Sequence, residues 1–172
     1  MQKDSIVLLA KYNKAVNEKM GAVIKSLSAE EWNKPLGGYF KSVRGLCSHL
    51  YICDFNWLQR FSRLREFAFL KEAFFDRAPY SYAEVLFEDT GEYFARRPSL
   101  DEKIIAFADE LKDADVNSLL KYTNAKGVAF EQNFGGVVLH FFNHQTFHRG
   151  MISLCLEMLG KENDFASLTA VL

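Results

Sequence analysis

The sequence predicts an all-α protein folded as a single domain over residues 1–172, with four long helices in a bundle and extra short helices between them. Three observations carry this expectation. Apolar residues recur three and four apart over long stretches. Runs of β-branched residues are few, and only 10 Gly and 3 Pro punctuate 172 residues. A composition of 49% hydrophobic and 25% charged residues in one domain's length can bury a substantial core and excludes a disordered or low-complexity chain.

The first helix is expected over Lys3 to Lys25, where Ile6, Leu9, Tyr12 or Asn13, Val16, Met20 and Val23 or Ile24 make one stripe and Lys11, Lys14, Glu18 and Lys19 a polar face. Ser28 to Glu31 has the form of a capping box, stapled by Leu27 and Trp32. It opens a short helix that stops at the breaker Pro35 to Gly38. Ser42 is the expected N-cap of a second long helix to about Glu66, facing the core with Val43, Leu46, Leu50, Cys53, Trp57, Phe61 and Leu64. A second capping box, Ser81 to Glu84, is expected to open a helix ending at Arg97-Pro98, and a third, Ser99 to Glu102, a helix to about Lys112. Asp113 to Tyr122 reads as a turn and a short helical piece, and Thr123 to Gln132 as a small hairpin or irregular crossover. The last long helix runs from Asn133-Phe134-Gly135-Gly136 to Leu159, with Gly160 just beyond it. It is apolar almost all the way round, so it should be central or lie at a dimer interface.

Charge and cysteine content narrow the function. Lys and Arg total 21 against 22 Asp and Glu, for a net charge of -1, which gives no electrostatic footprint for nucleic acid or an anionic membrane. No stretch approaches the roughly 18 apolar residues of a membrane span, and the start of the chain does not read as a signal peptide. Cys47, Cys53 and Cys155 have no CxxC spacing and read as reduced, buried thiols. A cytoplasmic protein is expected.

The chemistry is concentrated in histidine. Of four in the chain, His140, His144 and His148 sit four apart on the last helix, one turn above another on a shared face. Two neighbours of such a row can share one metal, whereas the outer pair is about 12 Å apart along the axis. A lone histidine on an apolar helix is usually a satisfied core residue. Several imidazoles buried together each need a partner, at about 1–3 kcal/mol if unpaired, and a divalent cation satisfies them at once. Zinc, nickel, iron and copper all accept imidazole nitrogen, and a third histidine from a facing helix would complete an open site. His49 is the only histidine left. No Glu precedes any of the three by three positions, as a di-iron bundle requires, and neither HExxH nor CxxCH is present.

The segment His140 to Gly150 (HFFNHQTFHRG) and the earlier Ser42 to Leu50 (SVRGLCSHL) resemble the signatures of the DinB/YfiT-like superfamily, named for a DNA-damage-inducible bacterial gene. The order of the two motifs fits over essentially the whole chain. The resemblance implies an up-down-down-up four-helix bundle with a long crossover, often dimeric, holding a divalent metal through three histidines. Carried over by position, these are His49, His144 and His148, with His140 near the site but not a usual ligand. Two positions depart from the pattern: Phe147, where relatives often have His, and Met151, where they often have Gln.

The resemblance also implies a metal-dependent enzyme acting on a small molecule in stress or detoxification, as a hydrolase or as a transferase using a low-molecular-weight thiol. The metal would lower the pKa of a bound water or thiol. Helical phase offers Tyr12, Asn13, Asn56 and Trp57 as pocket residues; Arg149 is expected in a salt bridge or on the helix surface, and Gly150 at a close helix contact. The alternatives are a non-catalytic metal-binding structural or sensor protein and a metal-free interaction module. Neither nucleic acid nor membrane is an expected partner; a homodimer is.

Overall fold

A computed structural model describes residues 2–124 and 126–171. The chain is mostly helical. Helix α1 (Lys3–Lys25) buries Ile6, Ala10, Val16, Met20 and Ile24, and α2 (Ala29–Asn33) begins at the Ser28–Glu31 capping box, both of whose hydrogen bonds form. Helix α3 (Val43–Phe61) is capped by Ser42, whose Oγ accepts from Gly45 N. It ends at Phe61, short of Glu66, and beyond it the Arg65 side chain binds the Asp115 carboxylate and the Glu110 carbonyl. Two 3-10 turns follow, Ala68–Lys71 and Ala73–Phe75.

The 81–112 region departs most from expectation. Ser81 and Glu84 close a local turn, Ser81 N donating to Glu84 Oε1 at 2.5 Å, but no helix follows. Leu86 N donates instead to Ser48 Oγ, and Phe87 is buried against Tyr51 and Tyr93. The helix starts later, at an Asp89 cap, and α4 (Thr90–Glu110) passes through Pro98 without stopping. An interior proline costs about 3 kcal/mol. Here Arg97, Leu100, Asp101, Ile104 and Phe107, all buried on both sides of it, offset that cost. The Ser99–Glu102 pattern therefore lies inside a helix rather than opening one.

After the single turn of α5 (Asp113–Val116), strands β1 (Leu119–Thr123) and β2 (Ala129–Asn133) pair antiparallel, Leu119 opposite Asn133. The hairpin is longer than expected and takes residues 119–122 from the anticipated helical piece. Helix α6 (Phe134–Met158) starts where Asn133 Oδ1 accepts from Gly136 N, and Gly160 takes a φ of 74° just past its end.

The long helices touch in a ring: α1 packs on α4, α4 on α3, α3 on α6, and α6 on α1. The aromatic core between them is continuous, with Phe61 stacked on Phe107 and edge-on to Phe134 and Phe141. Behind it lies a buried polar knot. The Arg97 guanidinium binds Asp101 and, at 2.6 Å, Asp54, while Asn13 and Asn17 donate to Asp101. No described helix is long and apolar enough to cross a membrane.

Candidate metal centre

Helices α3 and α6 meet with His49 facing His144 and His148. Ring centroids are 5.4 Å apart for His49–His144, 4.6 Å for His49–His148 and 4.3 Å for His144–His148. His148 is buried; His49 and His144 are half-buried. Burial pushes all three imidazoles down, His49 and His144 to about 4 and His148 to about 3, and each is lowered further by its imidazole neighbours. At neutral pH each carries a free nitrogen lone pair. Buried His148 Nδ1 has no hydrogen-bond partner, as expected of a nitrogen reserved for a ligand.

A fourth donor was not expected from sequence. Cys53 Sγ sits one turn along α3 from His49, 3.5 Å from its Nε2, and ligand atoms of His49, Cys53 and His144 all lie within 4.8 Å of one another. The i, i+4 spacing of His49 and Cys53 on one helix face was the available signal. Burial pushes the Cys53 thiol up to about 12, with Asp54 adding to the effect, so it resists becoming the thiolate that metals bind.

Phe40 covers the cluster. Its ring lies 4.3 Å from that of His49 and 5.3 Å from that of His148. The loop that holds it is tight: Gly37, Gly38 and Lys41 all have positive φ, and Leu36 N donates to Lys41 O. The loop can rest on α3 only because residue 45 is glycine, since a Cβ there would come within 2.1 Å of the Phe40 carbonyl oxygen.

His140 is exposed, its ring 6.1 Å from His144 and 5.8 Å from Trp57. Trp57 and His140 together line a cavity of about 420 Å³ with Tyr122 and Asn133. The other expected pocket residues have different neighbours. Tyr12 donates to the Phe165 carbonyl, and Asn13 belongs to the buried knot because Asp101 and Arg149 claim its amide. The Asn56 side chain is held by the Tyr80 backbone through both amide atoms. Arg149 is buried, bonded to Asn13 and Thr146 rather than ion-paired or exposed, and a Cβ on exposed Gly150 would meet nothing within 4 Å. Neither residue does what its motif position suggested, because α6 turns them toward α1 and a cavity beneath the C-terminal segment.

An HxxxH pair on α6 thus faces a third histidine on α3, and the DinB family model matches residues 1–169. The chain belongs to the DinB family. Over 154 residues, spanning 88% of this chain and 84% of the relative, it is 26% identical to the Bacillus subtilis (strain 168) protein named Protein DinB. No solved structure matches it. In this DinB-family chain the motif positions His49, His144 and His148 coincide with the clustered rings, and Cys53 and Phe40 are additions the motif does not specify.

Proposed function

We propose that this DinB-family protein binds one divalent cation, zinc, nickel or iron, through His49, His144 and His148, and works as a metal-dependent enzyme on a small molecule. The convergence of three uncharged imidazoles from two helices carries the reading. These residues fit a borderline cation: each neutral imidazole offers one unprotonated nitrogen, and His148 Nδ1 has no other partner. Cys53 is the weaker candidate, since a proton held at about 12 would have to leave first. When bound, the cation supplies Lewis acidity toward water or a low-molecular-weight thiol, matching a hydrolase or thiol-dependent transferase in stress or detoxification. Around it, Phe40 excludes water from one side, and half-exposed His49 and His144 leave the other side approachable.

An up-down-down-up bundle is the topology we infer, and the contacts between helices support it. Asn13 meets Asp101 and Lys25 meets Phe94, so α1 and α4 oppose; His49 meets His148 and Phe61 meets Phe134, so α3 and α6 oppose. Asp54 meets Arg97 and Phe61 meets Phe107, so α3 and α4 run together, joined by the long 62–89 connection. A cytoplasmic homodimer completes the reading. Leu139, Phe147, Leu154 and Met158 are exposed within about 100° of one another around α6, a stripe suited to a second copy.

A non-catalytic structural metal is the competing reading. Against it stands the aromatic packing of α3 on α6, which holds the two helices together away from the histidines. The discriminating experiment is chelation followed by melting and by thiol-transfer and hydrolysis assays on an electrophile panel. Loss of turnover with a nearly unchanged melting temperature supports the enzyme; unfolding on chelation, with no turnover in the loaded protein, supports the structural site.

A further inference from the structure

A cavity of about 1000 Å³ lies between the C-terminal half of α3, the 79–82 segment and the β hairpin. Its most unusual wall is Arg60. The guanidinium lies 4.3 Å from the Trp57 ring centroid and 5.2 Å from that of Tyr122, with Nη2 3.4 Å from the Tyr82 hydroxyl. Such stacking fixes the plane of the fork and leaves its N–H edge available for a carboxylate or phosphate. No described carboxylate pairs with Arg60 or with Arg63, which lies one turn along the same face and also lines the cavity. The remaining charges in the cavity wall, Lys121 and Glu131, pair with each other at 3.3 Å. The local balance is positive, and Tyr122 and Phe130, stacked at 5.3 Å, add a flat aromatic floor.

The groove also leads toward the histidines. Tyr122 lines both it and the smaller cavity, which Trp57 and His140 share. Along α3, Cys53 and Arg60 are seven residues, or about 10 Å, apart.

We infer that this groove binds the anionic end of the substrate, an elongated organic molecule carrying a carboxylate or phosphate beside a planar group, through the stacked Arg60 and its neighbour Arg63. The direction of the groove toward His140 and His144 rests on the proposed metal site; the anion site itself does not. Calorimetric titration of the full chain, metal-loaded and chelated, tests it with four probes: phenyl phosphate, benzoate, inorganic phosphate and neutral benzyl alcohol. Phenyl phosphate or benzoate should bind about tenfold or more tighter than benzyl alcohol, and inorganic phosphate should bind more weakly than phenyl phosphate. Arg60→Gln and Arg63→Gln should each weaken the aromatic anions about tenfold while leaving metal content unchanged. Arg63 is exposed, so its variant keeps the test decisive if Arg60→Gln disturbs the Trp57 packing. Binding by His148→Ala should match wild type even though that variant loses metal. Absence of anion binding in the wild type, or affinity unchanged from wild type in both arginine variants, overturns the groove and leaves the metal reading standing. Anion binding in a chain that takes up no metal does the reverse.

Discussion

Lowering the pH from 7 to 5 should destabilise the metal-free protein through three side chains, and the size of the loss follows from their burial. In the unfolded chain each cluster histidine titrates near 6.5, whereas in the folded chain His49 and His144 titrate near 4 and His148 near 3. The unfolded state therefore binds more protons in this window, so stability is complete above the unfolded value, falls as pH drops below it, and levels off as the native imidazoles protonate. At roughly 1.4 kcal/mol per pKa unit, each group gives up at most about 2 kcal/mol between pH 7 and 5. Two of the three are only half-buried, and solvent screening reduces the combined loss to about 3 kcal/mol. Urea unfolding of chelated protein at the two pH values measures it, with a His49→Asn, His144→Asn, His148→Asn triple variant as control. An equal stability at both pH values, or an equal loss in the triple variant, would refute the claim that these imidazoles are held neutral.

Other consequences can be checked separately. Gly45→Ala drives a Cβ to 2.1 Å from the Phe40 carbonyl and should cost about 1–3 kcal/mol in urea unfolding, with looser metal binding as the Phe40 loop lifts. Arg97→Met leaves Asp54 and Asp101 buried without their cation, for an expected loss of about 3–5 kcal/mol by chemical denaturation. Cys53→Ala should retain stoichiometric metal, and the cobalt-loaded wild type should lack a thiolate charge-transfer band; such a band would make Cys53 a ligand. Phe147→Glu with Leu154→Glu should convert a dimer to a monomer in light scattering without changing metal content.

The elements readable from sequence were those whose local signals agree with their tertiary surroundings. Helices α1, α2 and α6 begin and end within a residue or two of expectation because stripe, cap and breaker coincide at Ser28, Asn133 and Gly160. Where long-range contacts compete, local signals mislead. The Ser81–Glu84 box closes its turn, but Ser48 and the Phe87 socket hold the next residues extended. Pro98 is a valid stop signal that the buried Arg97–Asp101 face overrides. In the site, the histidines were legible because each imidazole is chemically conspicuous and the pair on α6 is local. Cys53 has no CxxC partner to mark it, and only its spacing of four from His49 places it on the same helix face. Tyr12 and Asn13 were misplaced because helical phase gives the face a residue occupies but not the helix that face meets.

Metal stoichiometry decides the central claim most directly. Competition against a chromophoric chelator, run on wild type and on His49→Ala, His144→Ala and His148→Ala, should give one tight divalent cation per chain and a loss of tight binding in each variant. Undiminished binding in His49→Ala, the one imidazole from α3, would mean that His49 does not hold the cation.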